Sequence, residues 1–311
     1  MPPFNELELS GVYIIDKPAG LTSHDVVAHV RRILDTRQVG HFGTLDPFAT
    51  GVLPVSAGKA TRFAQFYLKS RKAYAGMIRF GFATDTYDAT GVPAADAVAC
   101  TLEPGTINAL FTELTGRIQQ TPPPFSAKHV DGKRAYDLAR QQKPVVLEPV
   151  EVEIYALELL GIEGECVRFA VECSGGTYVR SLAHDLGERL GCGAHLAELR
   201  RTGVAEFSEA QLVTLDKLAA AAQEGNVASC RVPMEALLPD CPDLIVHGRE
   251  EQSIRHGHQF QLAQVARPGR GGAAASANVP KILKVMNSDR RLIAIARHVV
   301  GAVYHPDVVF V

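Results

Sequence analysis

The run Gly40-His41-Phe42-Gly43-Thr44-Leu45-Asp46-Pro47-Phe48-Ala49-Thr50-Gly51 sets one carboxylate on a glycine-punctuated loop. Pro47 biases Asp46 toward an extended backbone. Gly40, Gly43 and Gly51 let a ligand approach the main chain closely. A carboxylate presented in this way can act as a nucleophile, as in retaining glycosidases; an Asp-Pro pair is also the mark of a simple turn. Other chemistries find no support. The six cysteines form no C-x-x-C pair, and they read as small core residues. Gly58-Lys59 lacks the glycine spacing and the Ser/Thr of a phosphate loop, and no H-E-x-x-H, G-x-S-x-G or G-x-G-x-x-G run occurs. No cofactor or metal is called for, and His256 and His258 read as surface histidines.

The loop needs elements to hold it. Gly11–Ile15 reads as a buried strand, closed by the turn Asp16-Lys17-Pro18-Ala19-Gly20. Val26, Val27, Val30, Ile33 and Leu34 fall at helical spacing, which predicts a helix over 23–34 with Ser23 as its N-cap. After the loop come a short apolar run at 52–55, a short helix at 60–68, a strand at 74–82 and a helix at 106–115. The breaker Thr121-Pro-Pro-Pro124 precedes a short helix at 135–142 and strands at 150–160 and 167–173. Val179, Leu182, Ala183, Leu186 and Leu190 form the apolar face of a helix ending at Leu190. The alternation predicts an α+β fold with a mixed-sheet core flanked by helices. Pro233, Pro239 and Pro242 mark a boundary, with a larger domain over 1–240. Residues 241–311 form a small β-rich domain, with strands at 282–285, 292–296, 299–304 and 308–311 and a Gly/Ala-rich loop at 266–280.

With 311 residues, 46% hydrophobic and 21% charged, the chain has an ordinary globular composition. Its net charge of -2 excludes a whole-surface polycation, but the charges are unevenly placed. Residues 11–80 carry ten Lys/Arg against four Asp/Glu, and residues 245–311 carry nine against four. Blocks of this kind can draw in a polyanion. The acidic N-terminus is unlike a signal peptide, and no apolar run approaches the ~18 residues of a membrane span. The expected setting is therefore the reducing cytoplasm, with free thiols and no membrane.

From His41 to Leu53 the sequence resembles the catalytic motif of the TruB family, the bacterial tRNA pseudouridine-55 synthases. The resemblance extends to Asp16–Ser23, to Lys72-Ala-Tyr74 with Thr84–Gly91, and to Pro124–Lys128 with Gly132, Ala135 and Tyr136. Cys173–Arg180 and Gly191–Arg201 complete it. It implies a pseudouridine-synthase fold with an RNA-gripping insertion at about 121–145 and a PUA-like RNA-binding domain at 241–311. It also implies isomerisation of a uridine in the tRNA T-loop, position 55, without a cofactor. Such a reaction breaks the N-glycosidic bond and rejoins the base through carbon, so no atom is lost. By this resemblance Asp46 is the nucleophile and Arg180 its charge partner. Tyr74 stacks on the uracil and is a proposed proton acceptor, and Tyr178 and Leu199 are walls. His41 props the RNA stack after the base is extruded. Lys17 and Pro18 are assigned to structure. Phe42 stands where the family commonly has a small residue, and its place beside His41 bears on how the RNA loop is held. The implied partner is the T-arm of tRNA, bound by a monomer with no obligatory protein partner. Two alternatives stay open: a tRNA-folding helper with incidental catalysis, and a subunit of a guide-RNA-dependent synthase.

Overall fold

The computed structural model describes residues 6–125, 129–130, 133–134, 147–262 and 279–310. Its strands are β1 (Gly11–Lys17), β2 (Val39–His41), β3 (Thr50–Ala57), β4 (Lys72–Phe80), β5 (Gly116–Gln120), β6 (His129–Val130), β7 (Lys133–Arg134), β8 (Val150–Glu163) and β9 (Cys166–Cys173). They continue with β10 (Ala194–Val204), β11 (Phe207–Ser208), β12 (Arg231–Pro233), β13 (Asp243–Ile245), β14 (Phe260–Gln261), β15 (Ile282–Met286), β16 (Leu292–Val300) and β17 (Val303–Val309). Ten of them build one mixed sheet in the order β12-β1-β3-β10-β4-β9-β8-β5, with β2 on β3 and β11 on β10. The fold is α+β with a large mixed sheet and flanking helices, as the alternation predicts. A separate five-stranded sheet, β13-β15-β16-β17-β14, follows it.

The seam between β3 and β10 decides where a site can form. It is parallel and only two rungs long, Arg200 with Thr50 and Arg201 with Gly51. A Cβ at Gly51 would lie 2.3 Å from the Arg201 carbonyl oxygen, and its φ is +98°. Only glycine allows the strands this close. The 42–49 loop lies against this seam, where Arg201 donates to the Gly43 and Thr44 carbonyls.

Two helices reach this loop, one through Ser23 and the other through Arg180. Ser23–Ile33 carries a buried stripe of Val26, Val27 and Val30. Its N-cap is Thr22, not Ser23: the Thr22 hydroxyl accepts from the Asp25 amide, and the Asp25 carboxylate accepts from the Thr22 amide. Ser23 instead turns its hydroxyl to the Leu45 backbone. The helix Val179–Leu190 packs straight onto β10, because Gly187 meets Ala194 with no room for a side chain. Its buried face joins Tyr74, Ile78, Phe169 and Val171 in one core cluster.

Several predicted elements differ in detail. Residues 58–63 form a 3-10 turn, followed by a helix only over 64–67. The helix predicted at 106–115 starts at Pro104, where a missing N–H costs nothing. The strands predicted at 292–296 and 299–304 run as one strand to Val300, and the chain turns at Gly301. The helix predicted at 135–142 lies outside the described residues, as do most of the 121–145 insertion and the 266–280 loop.

The second sheet is docked onto the first body by apolar contact. Phe310 stacks on Phe63, with centroids 5.2 Å apart, and Met234, Leu237, Met286, Ile295 and Val308 belong to the same cluster. Phe42 joins this cluster from the other side. It is fully buried and stacked on Tyr67 at 4.6 Å with an interplanar angle of 3°. Phe42 therefore offers no ring surface for RNA contact. The ring fills a core that also holds Phe207, and no part of it reaches the surface.

Candidate active site

The 42–49 loop is pinned from three directions. Lys17, at the end of β1 and fully buried, donates to the carbonyls of Pro18 (2.9 Å), Pro47 (3.1 Å) and Ala49 (2.7 Å). Arg201, also fully buried, donates to the carbonyls of Gly43, Thr44 and Val52. The Ser23 hydroxyl takes the Leu45 amide at 2.9 Å and donates to the Leu45 carbonyl at 3.1 Å. Backbone carbonyls in a tight loop point inward without strand partners, and buried cations satisfy them. Asp46 is therefore held between fixed neighbours, with about a third of its side chain exposed.

Facing it is Arg180, in the first turn of the Val179–Leu190 helix. Arg180 Nε lies 2.9 Å from Asp46 Oδ2, and Nη2 donates to Oδ1 at 3.1 Å. The other donors are also engaged. Nη1 reaches the Thr86 carbonyl at 3.0 Å and lies 3.4 Å from Asp88 Oδ2, and Nη2 reaches the Phe125 carbonyl at 3.1 Å. A guanidinium suits this post because its planar fork serves several acceptors at once. Asp88 is buried and organised in turn: its Oδ1 accepts from the Thr86 hydroxyl and from the Thr90 amide and hydroxyl. The start of the helix is clamped by buried Gln120, which exchanges two hydrogen bonds with the Tyr178 backbone. Ser181 adds a bond to the Thr121 carbonyl.

A cleft of about 290 Å³ opens over this pair, with Asp46, Lys72, Tyr74, Tyr178, Arg180 and Leu199 among its lining residues. That is near the lower end for small-molecule pockets. Burial pushes the Tyr74 phenol up to about 12 against the opposing pull of Arg201. The phenol is thus protonated at neutral pH: the ring can serve as a wall and the hydroxyl as a donor, and another group must take its proton before it can accept one. Burial pushes the Lys72 ammonium down to about 8, with Arg201 acting in the same direction. Among the described residues, no group of three or more His, Cys, Asp or Glu is arranged to hold a metal ion.

Known proteins can be set against this geometry. Residues 31–179 match the family model described as TruB family pseudouridylate synthase (N terminal domain), and residues 180–239 match that of the tRNA pseudouridylate synthase B C-terminal domain. A tRNA pseudouridine synthase B of Solibacter usitatus is 46% identical over 301 residues, which span 97% of this chain and 100% of that protein. The chain belongs to the TruB family of pseudouridylate synthases. A second relative, the tRNA pseudouridine synthase B of Geobacter sulfurreducens, is 46% identical over 74% of this chain and 76% of its own. Among solved structures, the chain resembles one titled "Crystal Structure of a Cbf5-Nop10-Gar1 Complex". The TM-score is 0.71 at 28% identity, over 95% of this chain and 80% of that one. A "Structure of H/ACA RNP bound to a substrate RNA containing 2'-deoxyuridine" gives 0.71 at 27% identity, over 98% and 86%.

Of the six site residues taken from the TruB resemblance, Asp46, Tyr74, Tyr178, Arg180 and Leu199 line the same cleft. His41 stands apart, at the entry to the loop. Its Nδ1 accepts the Gly43 amide at 3.2 Å, and its ring meets His24 edge-on at 5.7 Å. Burial, with His24 and Arg201 adding to it, pushes it down to about 4, so the ring is neutral at physiological pH. Sequence reasoning gave no site role to Asp88, Arg201 or Lys72, and it read Ser23 as a helix cap and not as an anchor of the loop. The spacing Thr86-x-Asp88-x-Thr90 was a readable signal for a carboxylate capping its own turn. Arg201 sits within a strand beside buried residues, and nothing in its spacing says that it turns inward. The basic block at 11–80 overstates the positive surface, since Lys17 and Lys72 are buried.

Proposed function

We propose that the chain isomerises uridine 55 in the T-loop of tRNA to pseudouridine, with Asp46 as the nucleophile. The observation that carries this reading is the Asp46 carboxylate, ion-paired with Arg180 through Nη2 and Nε at the edge of a cleft walled by Tyr74, Tyr178 and Leu199. The tRNA substrate of the named relatives supports the choice of RNA. In this reading the target base leaves its stack and enters the cleft, and an aromatic wall offsets part of the unstacking cost. The bond from C1′ to N1 breaks, the base turns while it stays held, and a bond from C1′ to C5 forms. The C5 hydrogen leaves as a proton, and N1 gains one. Asp46 supplies the electron pair, whether to the sugar, to the base or as the base of an elimination; each route needs an ionised carboxylate beside the reacting atoms. Arg180 supplies the countercharge and fixes the orientation. Residues 241–311 serve as a PUA-like contact to the RNA stem, and residues 1–240 as the catalytic domain. The molecule works in the cytoplasm as a monomer.

The structural likeness to a chain of the H/ACA RNP structure favours one second reading, a catalytic subunit directed by a guide RNA. One experiment separates the two. Purified protein is incubated with unmodified tRNA transcript, without guide RNA or cofactor, and pseudouridine is mapped. Product at the single T-loop uridine with the wild type, and none with Asp46→Asn, is the expected result. Product formed by Asp46→Asn at the wild-type rate overturns the nucleophile. Tight tRNA binding without product overturns stand-alone catalysis and shifts the reading to the guided subunit or to a tRNA-folding helper.

A further inference from the structure

Two of the six cysteines meet far from the catalytic cleft. Cys100 lies in the extended segment that leads from the 84–91 turn to the helix Pro104–Leu114, and Cys192 lies just past the end of the Val179–Leu190 helix. They are 92 residues apart in sequence, yet their Sγ atoms are 2.8 Å apart. The geometry around each is fixed by neighbours. Val98 N–H to the Gly81 carbonyl (2.8 Å) and Ala94 N–H to the Ala83 carbonyl (2.9 Å) hold the Cys100 segment to the end of β4. Cys192 N–H bonds the Gly187 carbonyl at the helix C-terminus. Cys192 is buried and Cys100 is partly exposed, which gives the pair one accessible member and one that waits behind it.

We infer that Cys100 and Cys192 form a reversible disulfide on reaction with low-molecular-weight disulfides, a covalent modification site that staples the frame behind the Arg180 network. A disulfide needs the two sulfurs at about 2.05 Å, and the pair is within a small side-chain rotation of that distance. The Cys100 thiolate attacks the reagent disulfide R–S–S–R, forming a mixed disulfide and releasing one R–S⁻. The Cys192 thiolate then attacks Cys100 Sγ, the protein disulfide forms and the second R–S⁻ leaves. Two protons pass from the protein thiols to the released thiolates, and the reagent takes up the two electrons. Burial and the neighbouring Cys192 push the Cys100 thiol up to about 11, so the first step is slow at neutral pH and quickens as the pH rises. The staple has a structural consequence. The closed loop contains the helix that carries Arg180, and the anchored segment follows directly from the turn that presents Asp88. Cross-linking restricts the unfolded chain most when the loop is long.

The test uses the full chain and oxidised glutathione as the probe. After incubation at about pH 8, intact mass under non-reducing conditions is expected to fall by about 2 Da relative to the reduced protein. Peptide mapping should give one cross-linked species joining the Cys100 and Cys192 peptides, and dithiothreitol should reverse it. Cys100→Ser should abolish the cross-link, while Cys192→Ser should trap a stable glutathione adduct on Cys100. Oxidised wild type should melt several degrees above its reduced form, and Cys100→Ser should show no such difference. Under reducing conditions Cys100→Ser should match the wild type in pseudouridine formation, since Cys100 is not part of the cleft. A glutathione adduct that persists in the wild type overturns the inference, as do bonds that recruit the other four thiols or an unchanged melting temperature after cross-linking.

Discussion

Replacing Lys17 by Met tests whether the catalytic loop is positioned from beneath. The side chain keeps its apolar stem and loses the ammonium that holds the carbonyls of Pro18, Pro47 and Ala49. Hydrogen bonds from a charged donor are worth roughly 1.5–3 kcal/mol each, so three give roughly 5–9 kcal/mol before costs. Burial opposes this. It moves the lysine from its ordinary 10.5 to about 8, which corresponds to about 3 kcal/mol against the charged form. The net loss on substitution is thus about 2–6 kcal/mol, read as a lower urea midpoint at unchanged slope. Two of the three carbonyls belong to residues within three positions of Asp46. A carboxylate displaced by ~1 Å loses on the order of a hundredfold in rate. We expect kcat for pseudouridine formation to fall about 10- to 100-fold, with tRNA affinity within about twofold, because Lys17 offers no surface to RNA. The assay is release of tritium from C5 of labelled uridine in tRNA, alongside filter binding. A variant with wild-type kcat and an unshifted urea midpoint would refute the account of the loop.

Asp88→Ala should destabilise the protein by about 3 kcal/mol and lower kcat more than it raises KM, because it strips Arg180 of a buried countercharge and leaves the Thr86 and Thr90 donors unmet; urea melts and steady-state kinetics check both parts. His41 is held at about 4 in the folded protein against its ordinary 6.5. Its contribution to stability is therefore full above pH ~6.5 and lost as the pH falls toward ~4, by about 3 kcal/mol in all; His41→Asn should flatten that part of the stability-pH curve. Phe310→Ala opens the stack on Phe63 and should cost about 3 kcal/mol, with faster amide exchange in β15–β17 than in β3 and β10.

The legible parts of this protein were those written locally. The stripe of Val26, Val27 and Val30 marks its helix because burial on one face repeats every turn, and the strands at 150–163 and 166–173 follow from apolar runs broken by turn residues. The glycine-punctuated run around Asp46 marked a special loop, and the ordered motifs of the TruB resemblance drew the other cleft residues together. Phe42 lies beside His41 in sequence, and that position alone did not say which way its ring would face. In space the side chains of adjacent residues point apart, and its ring faces Tyr67. Thr22 and Ser23 differ by one position and by function, and only the direction of each hydroxyl separates a helix cap from a loop anchor.

Residue type and order alone determined that a carboxylate would sit on a constrained loop between strands, in an α+β chain with a β-rich end. Those properties depend on backbone preferences and apolar periodicity, which act within a few residues. Tertiary structure decided what surrounds that carboxylate: Arg180 from a helix 134 positions away, Asp88 behind it, and Lys17 and Arg201 turned inward to satisfy loop carbonyls. It also brought Cys100 to Cys192. No local rule assigns a buried cation to a particular carbonyl, because the pairing forms only when the folded sheet removes both from water and sets several loop carbonyls around one cation.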